Sequence, residues 1–349
     1  MSGESLAGQY AVHLRQRLWR LLVLGGLVLC LVVLDLITGP SGMPLGMVWQ
    51  GLWDAQALDE GQRVILWELR MPLALMAVLV GAALGLSGAQ MQTVLNNPLA
   101  SPFTLGLSAA ATVGAAVVIV SGADAWGAGV HVALPLGAFA GAAVSAGLIY
   151  LLTWRFGASV GAVVLFGIAL MFTFEALLWL LQYLADSNAL QQIVFWNMGS
   201  LGRSTWDKVG VLGLVFLVCG VWTQRDAWKL TALRAGEEQA RSSGVAVERL
   251  RLLSLLRVCL LSATALAFVG TIGFVGLVGP HMARLLLGED HRFFLPASAL
   301  AGGFMLAGAS ILSKTLVPGV VLPIGIVTAL VGVPVFLVLV LRTRAGLQL

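Results

Sequence analysis

Four histidines and sixteen acids supply most of the general acid and base chemistry this 349-residue chain could offer. They form no Ser/His/Asp set, no His-Glu-x-x-His and no intramembrane carboxylate pair, so catalysis by the chain itself is not expected. No Gly-Lys dipeptide occurs, which excludes a Walker A loop and with it any ATP chemistry on this chain. His281 and Arg284 lie three apart and share one helix face. With no second ligand on that face, they read as a hydrogen-bonded structural pair and not as a metal site. Cys30, Cys219 and Cys259 fall inside apolar runs at no metal-ligand spacing and read as small buried hydrophobes. No bound cofactor or metal is expected.

The remaining chemistry is that of recognition and movement, and it gathers in three breaks between apolar runs. The first, Leu95 to Pro102, has two asparagines, two prolines and no charge. Such a segment does not continue a helix. Uncharged irregular backbone at membrane depth is tolerated where protein or a water-filled cavity surrounds it, so this turn is a candidate pathway lining. The second, residues 225–251, is the longest polar break. Gly236 and Gly244 punctuate two short amphipathic stretches, one bringing Leu230 and Leu233 together and one ending at Ala240. Two short helices joined by a turn would make a docking surface for a soluble partner, and a solvated connector is the alternative. The third, Gly270 to Arg292, ends a span in a Gly- and Pro-rich turn, then opens a short helix; Glu289, Asp290, His291 and Arg292 read as a local capping and ion-pair cluster.

The elements that must position these breaks are set by composition. Hydrophobic residues make up 59% of the chain and charged residues 10%, with 42 glycines, which no soluble domain matches. Candidate spans lie near 18–38, 70–92, 103–121, 131–154, 157–184, 206–224, 252–273, a short one at 280–288, then 293–313 and 319–341. The basic N-terminal stretch and the run 21–37 have the outline of a secretory signal, but the run is too long, and Gly39-Pro40-Ser41-Gly42 offers no good cleavage pattern, so a retained first span is expected. Ten spans put both termini on one side. With that side cytoplasmic, 14 of the 20 basic residues fall inside, whereas Arg63, Arg70, Arg203, Lys208 and Lys314 fall outside. The basic residues sit in breaks and form no stripe with interleaved aromatics, so nucleic acid is not an expected partner. Gly- and Ala-rich stretches at 80–89, 105–116 and 137–147, with Gly81, Gly85 and Gly88, imply close helix packing. The expected fold is an all-α integral membrane protein of about ten helices, residues 1–349 forming one transmembrane domain.

At these breaks the sequence resembles the FecCD-type permeases of bacterial ABC importers for iron-siderophores, haem and cobalamin, over nearly its whole length. The marks are Arg70-Met71-Pro72, SGAQMQ at 87–92, NNPLASP at 96–102, Leu105-Gly106, WNMGSL at 196–201, LRAGEEQARSSGV at 233–245, the run from Gly273 to Gly303, and LPIGIVTALVGVPVF at 322–336. Departures are Leu73, where the family usually has a second Arg, Ser310 and Lys314 where it has Asp then Arg, and Val321 where it has Glu.

The resemblance implies a type II ABC importer permease in the bacterial inner membrane. Its partners would be a second permease copy or paralogue, two ATPase subunits that hold ATP and Mg, a periplasmic binding protein and membrane lipid. Leu233, Gly236, Glu237, Glu238, Ala240 and Gly244 would belong to the ATPase-coupling segment. Arg70 and Lys314 would receive acids of the binding protein. Asn97 and Leu99, with Ser159, Val160 and Gly161, would form the cytoplasmic gate. A ferric siderophore is the expected cargo, with haem, cobalamin or an oxyanion such as molybdate as alternatives. The rival from another class is an ion-coupled secondary transporter, which would need intramembrane ion sites; Asp35, Glu175 and His281/Arg284 are the candidates. Glu175 is the only acid between Phe156 and Leu184. It lies about 27 Å along a helix from Gly157, near the outer third of a bilayer, and either snorkels or faces the pathway mouth.

Overall fold

The structure is a computed structural model that describes residues 6–39, 42–122, 127, 129–156 and 159–345. Pro40, Ser41, Gly157 and the chain ends, on which parts of the sequence reading fall, lie outside the described residues.

Among the described residues fifteen α-helices run α1 Leu6–Ile37, α2 Leu45–Trp53, α3 Glu60–Arg63, α4 Met71–Val94, α5 Leu107–Ser121, α6 Val130–Phe156, α7 Val160–Leu184 and α8 Ser187–Asn197. They continue as α9 Trp206–Arg225, α10 Ala227–Ala235, α11 Glu237–Ser242, α12 Val247–Val269, α13 Val275–Leu287, α14 His291–Thr315 and α15 Ile324–Ala345. Among the described residues seven helices are long and apolar enough to cross a membrane, and α5, α13 and α15 are shorter apolar ones, so an apolar helix stands at each of the ten expected positions. A wider π-helical stretch, Val64–Arg70, joins α3 to α4 without a break.

α4 is the central post, packed against α14, α12, α13 and α9. Glycine makes this possible. A Cβ on Gly81 would lie 2.3 Å from the Gly302 carbonyl oxygen, on Gly85 2.2 Å from that of Ser298, and on Gly88 1.7 Å from that of Gly276. Backbone-to-backbone approach of this kind supplies the dispersion that holds helices together in hydrocarbon. Gly114 of α5 and Gly141 of α6 repeat the device. By contrast only 22% of the apolar window of α7 is buried, and Phe172, Trp179 and Tyr183 stand open on it.

Several boundaries differ from the sequence expectation. Residues 103–105 form a 3-10 turn, and α5 starts only after Gly106 in the left-handed region (φ 73°). α13 begins at Val275, five residues before the expected start, and α15 begins at Ile324, five after. α2 and α8 were not anticipated, because nine- and eleven-residue apolar stretches fall below spanning length.

Candidate functional site

The end of the bundle that holds residues 225–251 carries a continuous polar lattice. Gly236 (φ 140°) and Gly244 (φ 82°) terminate α10 and α11, conformations that L side chains rarely adopt, so the two expected short helices are present. Leu230 and Leu233 are buried on α10 and Ala240 on α11, fixing both helices to the core. Glu237 accepts from Arg241 and from Arg251, which also donates to the Val94 carbonyl at the end of α4. Glu238 is exposed. Asp226, between α9 and α10, takes Arg257 at 2.7 Å and Lys229 at 2.8 Å. Burial would raise its pKa, but these cations outweigh that and hold it below the ordinary value.

Arg234 is the hub. Its Nε and Nη2 reach both oxygens of Glu289 at 3.0 Å, and its Nη1 donates to the side-chain oxygen of Asn96. Glu289 also forms an ion pair with Arg284, whose Nε lies 2.8 Å from Oε1, and Arg284 Nη2 donates to Gln92 of α4 at 3.2 Å. Burial pushes the Glu289 pKa up, while Arg234 and Arg284 draw it net below the usual carboxylate value. His291 bridges Thr93 of α4 (2.7 Å) and Thr231 of α10 (3.2 Å), and Asp290 caps α14 while pairing with Arg17 and Arg292. The capping and ion-pair reading of 289–292 therefore holds, with His291 serving through hydrogen bonds. The His281/Arg284 pair is corrected: His281 bonds the Leu277 carbonyl, Arg284 turns to Glu289, and no bond joins the two.

At the same end the uncharged turn follows α4. Asn96 takes a positive φ of 40°, rare for a non-glycine residue, and the Asn97 side chain accepts from the Leu99 amide at 2.9 Å. Leu99 and Pro98 are exposed. The chain then passes inward, and Gly106 lies so close to Met171 of α7 that a Cβ would meet its amide at 2.8 Å. Met171 is eleven residues into α7, about 16 Å from its start, so the 3-10 turn at 103–105 packs against the middle of a long apolar helix. Ser159 caps α7 and Gly161 is exposed, whereas Val160 packs on the core.

A second irregular junction lies toward the opposite end. Ser200 N bonds Val269 O at 2.7 Å, Gly325 N bonds Met198 O at 3.0 Å, and the Thr271 hydroxyl bonds Asn197 O. Phe274, with φ 65°, seats its Cβ against Gly332 of α15. Above this junction a groove of about 990 Å³ opens between α8, the 199–203 loop and the end of α14.

Arg70 and Lys314, expected to face outward, are respectively buried and partly buried at this end. Lys314 Nζ lies 2.9 Å from Asp35 Oδ1, whose residue is 1% exposed, and Ser310 donates to the same carboxylate. Arg70 donates to the Leu36 carbonyl at 2.6 Å. An unpaired cation is too costly to bury, so α1 supplies the acid that the family pattern places at position 310. Arg70 is enclosed, while Lys314 is partly buried and borders the groove with its charge answered by Asp35. Glu175 is half-buried on α7 and outside the groove.

Comparison with known proteins agrees with this architecture: the profile of the FecCD transport family matches residues 27–342. The chain belongs to the FecCD transport family. This FecCD chain is 36% identical to a hemin transport system permease of Yersinia pestis over 93% of its own length and 96% of the relative's. It is 37% identical to a vitamin B12 import system permease of Klebsiella pneumoniae, covering 95% and 97%. A solved structure of a metal-chelate type ABC transporter in an inward-facing conformation superposes with a TM-score of 0.81 at 31% identity, covering 92% of this chain and 98% of that one.

Sequence reasoning foresaw an irregular turn after α4 and two short helices within residues 225–251, and it missed Arg234, Arg203 and Phe274 as functional candidates. Arg234 carried one signal, its place in the matched 233–245 run; the conformation of Phe274 carried none.

Proposed function

We propose that this chain is the membrane-spanning permease of an ATP-binding cassette importer that moves a metal chelate, a ferric siderophore, from periplasm to cytoplasm. The carrying observation is the hub at Arg234, which ties the docking helices α10 and α11 to the uncharged turn at Asn96. In this reading the basic end is cytoplasmic, both termini lie there, and an ATPase subunit binds the surface at Gly236 to Gly244. The open face of α7 receives a second permease across a shared pathway. ATP binding in the partners moves α10 and α11, and the lattice carries that movement to the 95–102 turn and Val160 as alternating access.

The metal-chelate neighbour supports the cargo class. The hemin, vitamin B12 and molybdate permeases among the relatives make haem, a corrinoid or an oxyanion the second reading. Asp35 is committed to Lys314 and Arg284 to Glu289, which counts against ion-coupled transport. The test is uptake of ferric siderophores, hemin and cyanocobalamin by proteoliposomes holding the chain with its ATPase. ATP-dependent uptake lost in Gly236→Trp, with hydrolysis retained, is expected. Uptake driven by a proton or sodium gradient without an ATPase would overturn the assignment.

A further inference from the structure

The groove of about 990 Å³ at the end opposite the coupling helices falls in the size range of small-molecule sites. One wall presents the amides of Asn188, Gln191 and Gln192 on α8; the other is the end of α14. No acidic residue is among its lining residues. It holds two cations, and they are unlike. Lys314 is neutralised by Asp35. Arg203 has no carboxylate partner among the described residues.

The Arg203 side chain is held in place. Its Nη2 donates to the Val269 carbonyl at 3.2 Å, and the guanidinium lies 5.7 Å from the centre of the Trp196 ring. Those contacts fix its position and leave its charge unanswered: Nε is buried without an acceptor, and Nη1 has no partner among the described residues. Lys208 adds a second positive charge behind it by donating to the Arg203 carbonyl at 2.6 Å. Burial pushes the Arg203 guanidinium down to about 10, so it remains charged at neutral pH. A desolvated cation without a counter-charge is costly, and a chain that needed only a loop anchor could use a neutral donor.

We infer that this groove is an entry site for an anionic ligand, one bearing a carboxylate or oxyanion that pairs with Arg203 while its body rests against Trp196 and the α8 amides. The inference rests on the importer reading and narrows its cargo to negatively charged chelates. It also gives Arg203 a positive influence on anions at the outer end, opposite in sign to the lone carboxylate of Glu175, which lies outside the groove. An acidic side chain of a binding protein is the competing occupant, and the depth of Arg203 in a ligand-sized groove favours the small molecule.

The permease with its ATPase subunits, in nanodiscs, is titrated with hemin, ferric citrate and molybdate as anions, and with ferrichrome and cyanocobalamin as neutral probes. At least one anion is expected to bind more tightly than either neutral probe. Arg203→Gln, which keeps a donor for Val269, should weaken that anion by at least about tenfold with the melting temperature unchanged, and Arg203→Lys should restore part of the loss. Failure of every anion to bind the parent, an unchanged affinity in Arg203→Gln, or an equal loss for the neutral probes overturns the inference. So does a loss confined to binding-protein association. Basal ATP hydrolysis is read from the same samples: intact hydrolysis with failed anion binding sinks the groove alone, and failure to assemble with an ATPase sinks the importer reading as well.

Discussion

Arg234 on α10 and Asn96 in the turn after α4 are joined by a direct side-chain hydrogen bond across 138 residues of sequence, while the same guanidinium holds Glu289 with two bonds. α10 and the turn after α4 are thereby one mechanical unit. Arg234→Gln should cut ATP-driven uptake at least about tenfold while ATP hydrolysis persists, because a charge-assisted bidentate contact is lost at the joint. Paired uptake and hydrolysis assays check it; parallel loss of both would show a folding defect instead.

The Gly88 contact is a backbone contact, so it has no slack. Gly88→Ala would place a methyl 1.7 Å from the Gly276 carbonyl oxygen and should destabilise the bundle by about 1–3 kcal/mol or more. Gly26→Ala, with open space around it, serves as the control and should be neutral. Thermal unfolding in detergent reads the difference.

Burial makes Asp35 and Lys314 dependent on each other. Asp35→Asn strands a cation whose side chain is 7% exposed, for a loss of about 3–5 kcal/mol, the range for breaking a buried pair. Asp35→Asn with Lys314→Met should recover most of it. A double mutant as unstable as the single one would show that Arg70, and not Lys314, is what Asp35 neutralises.

Acid should loosen the end of the bundle that carries α10 and α11. Asp226, Glu289 and Asp290 all have pKa values below their ordinary ones in the folded chain. A depressed carboxylate stabilises the fold above its unfolded pKa, near 4, and that stability is lost as pH falls through the folded value. The protection factors of α10 and α11, exchange corrected for the intrinsic pH dependence of amide exchange, are therefore expected to be flat from pH 7 to about 5 and to fall below about 4. In Glu289→Gln the fall should be smaller, since one of the titrating groups is gone.

The ten apolar helices, the irregular turns and the glycine contacts were legible in the sequence because each is local: apolar run length, proline and asparagine chemistry, and small residues at helical spacing. Leu230, Leu233 and Ala240 announced two short helices by the same periodicity. Charge pairing is not local. Asp35 meets Lys314 across 279 residues and Arg234 meets Glu289 across 55, so a list of charged residues could not say which cations are answered. The tertiary structure alone enclosed Arg70, set Lys314 on Asp35 and left Arg203 without an acid among the described residues, because in a low-dielectric interior the effect of a charge depends on what the fold sets beside it.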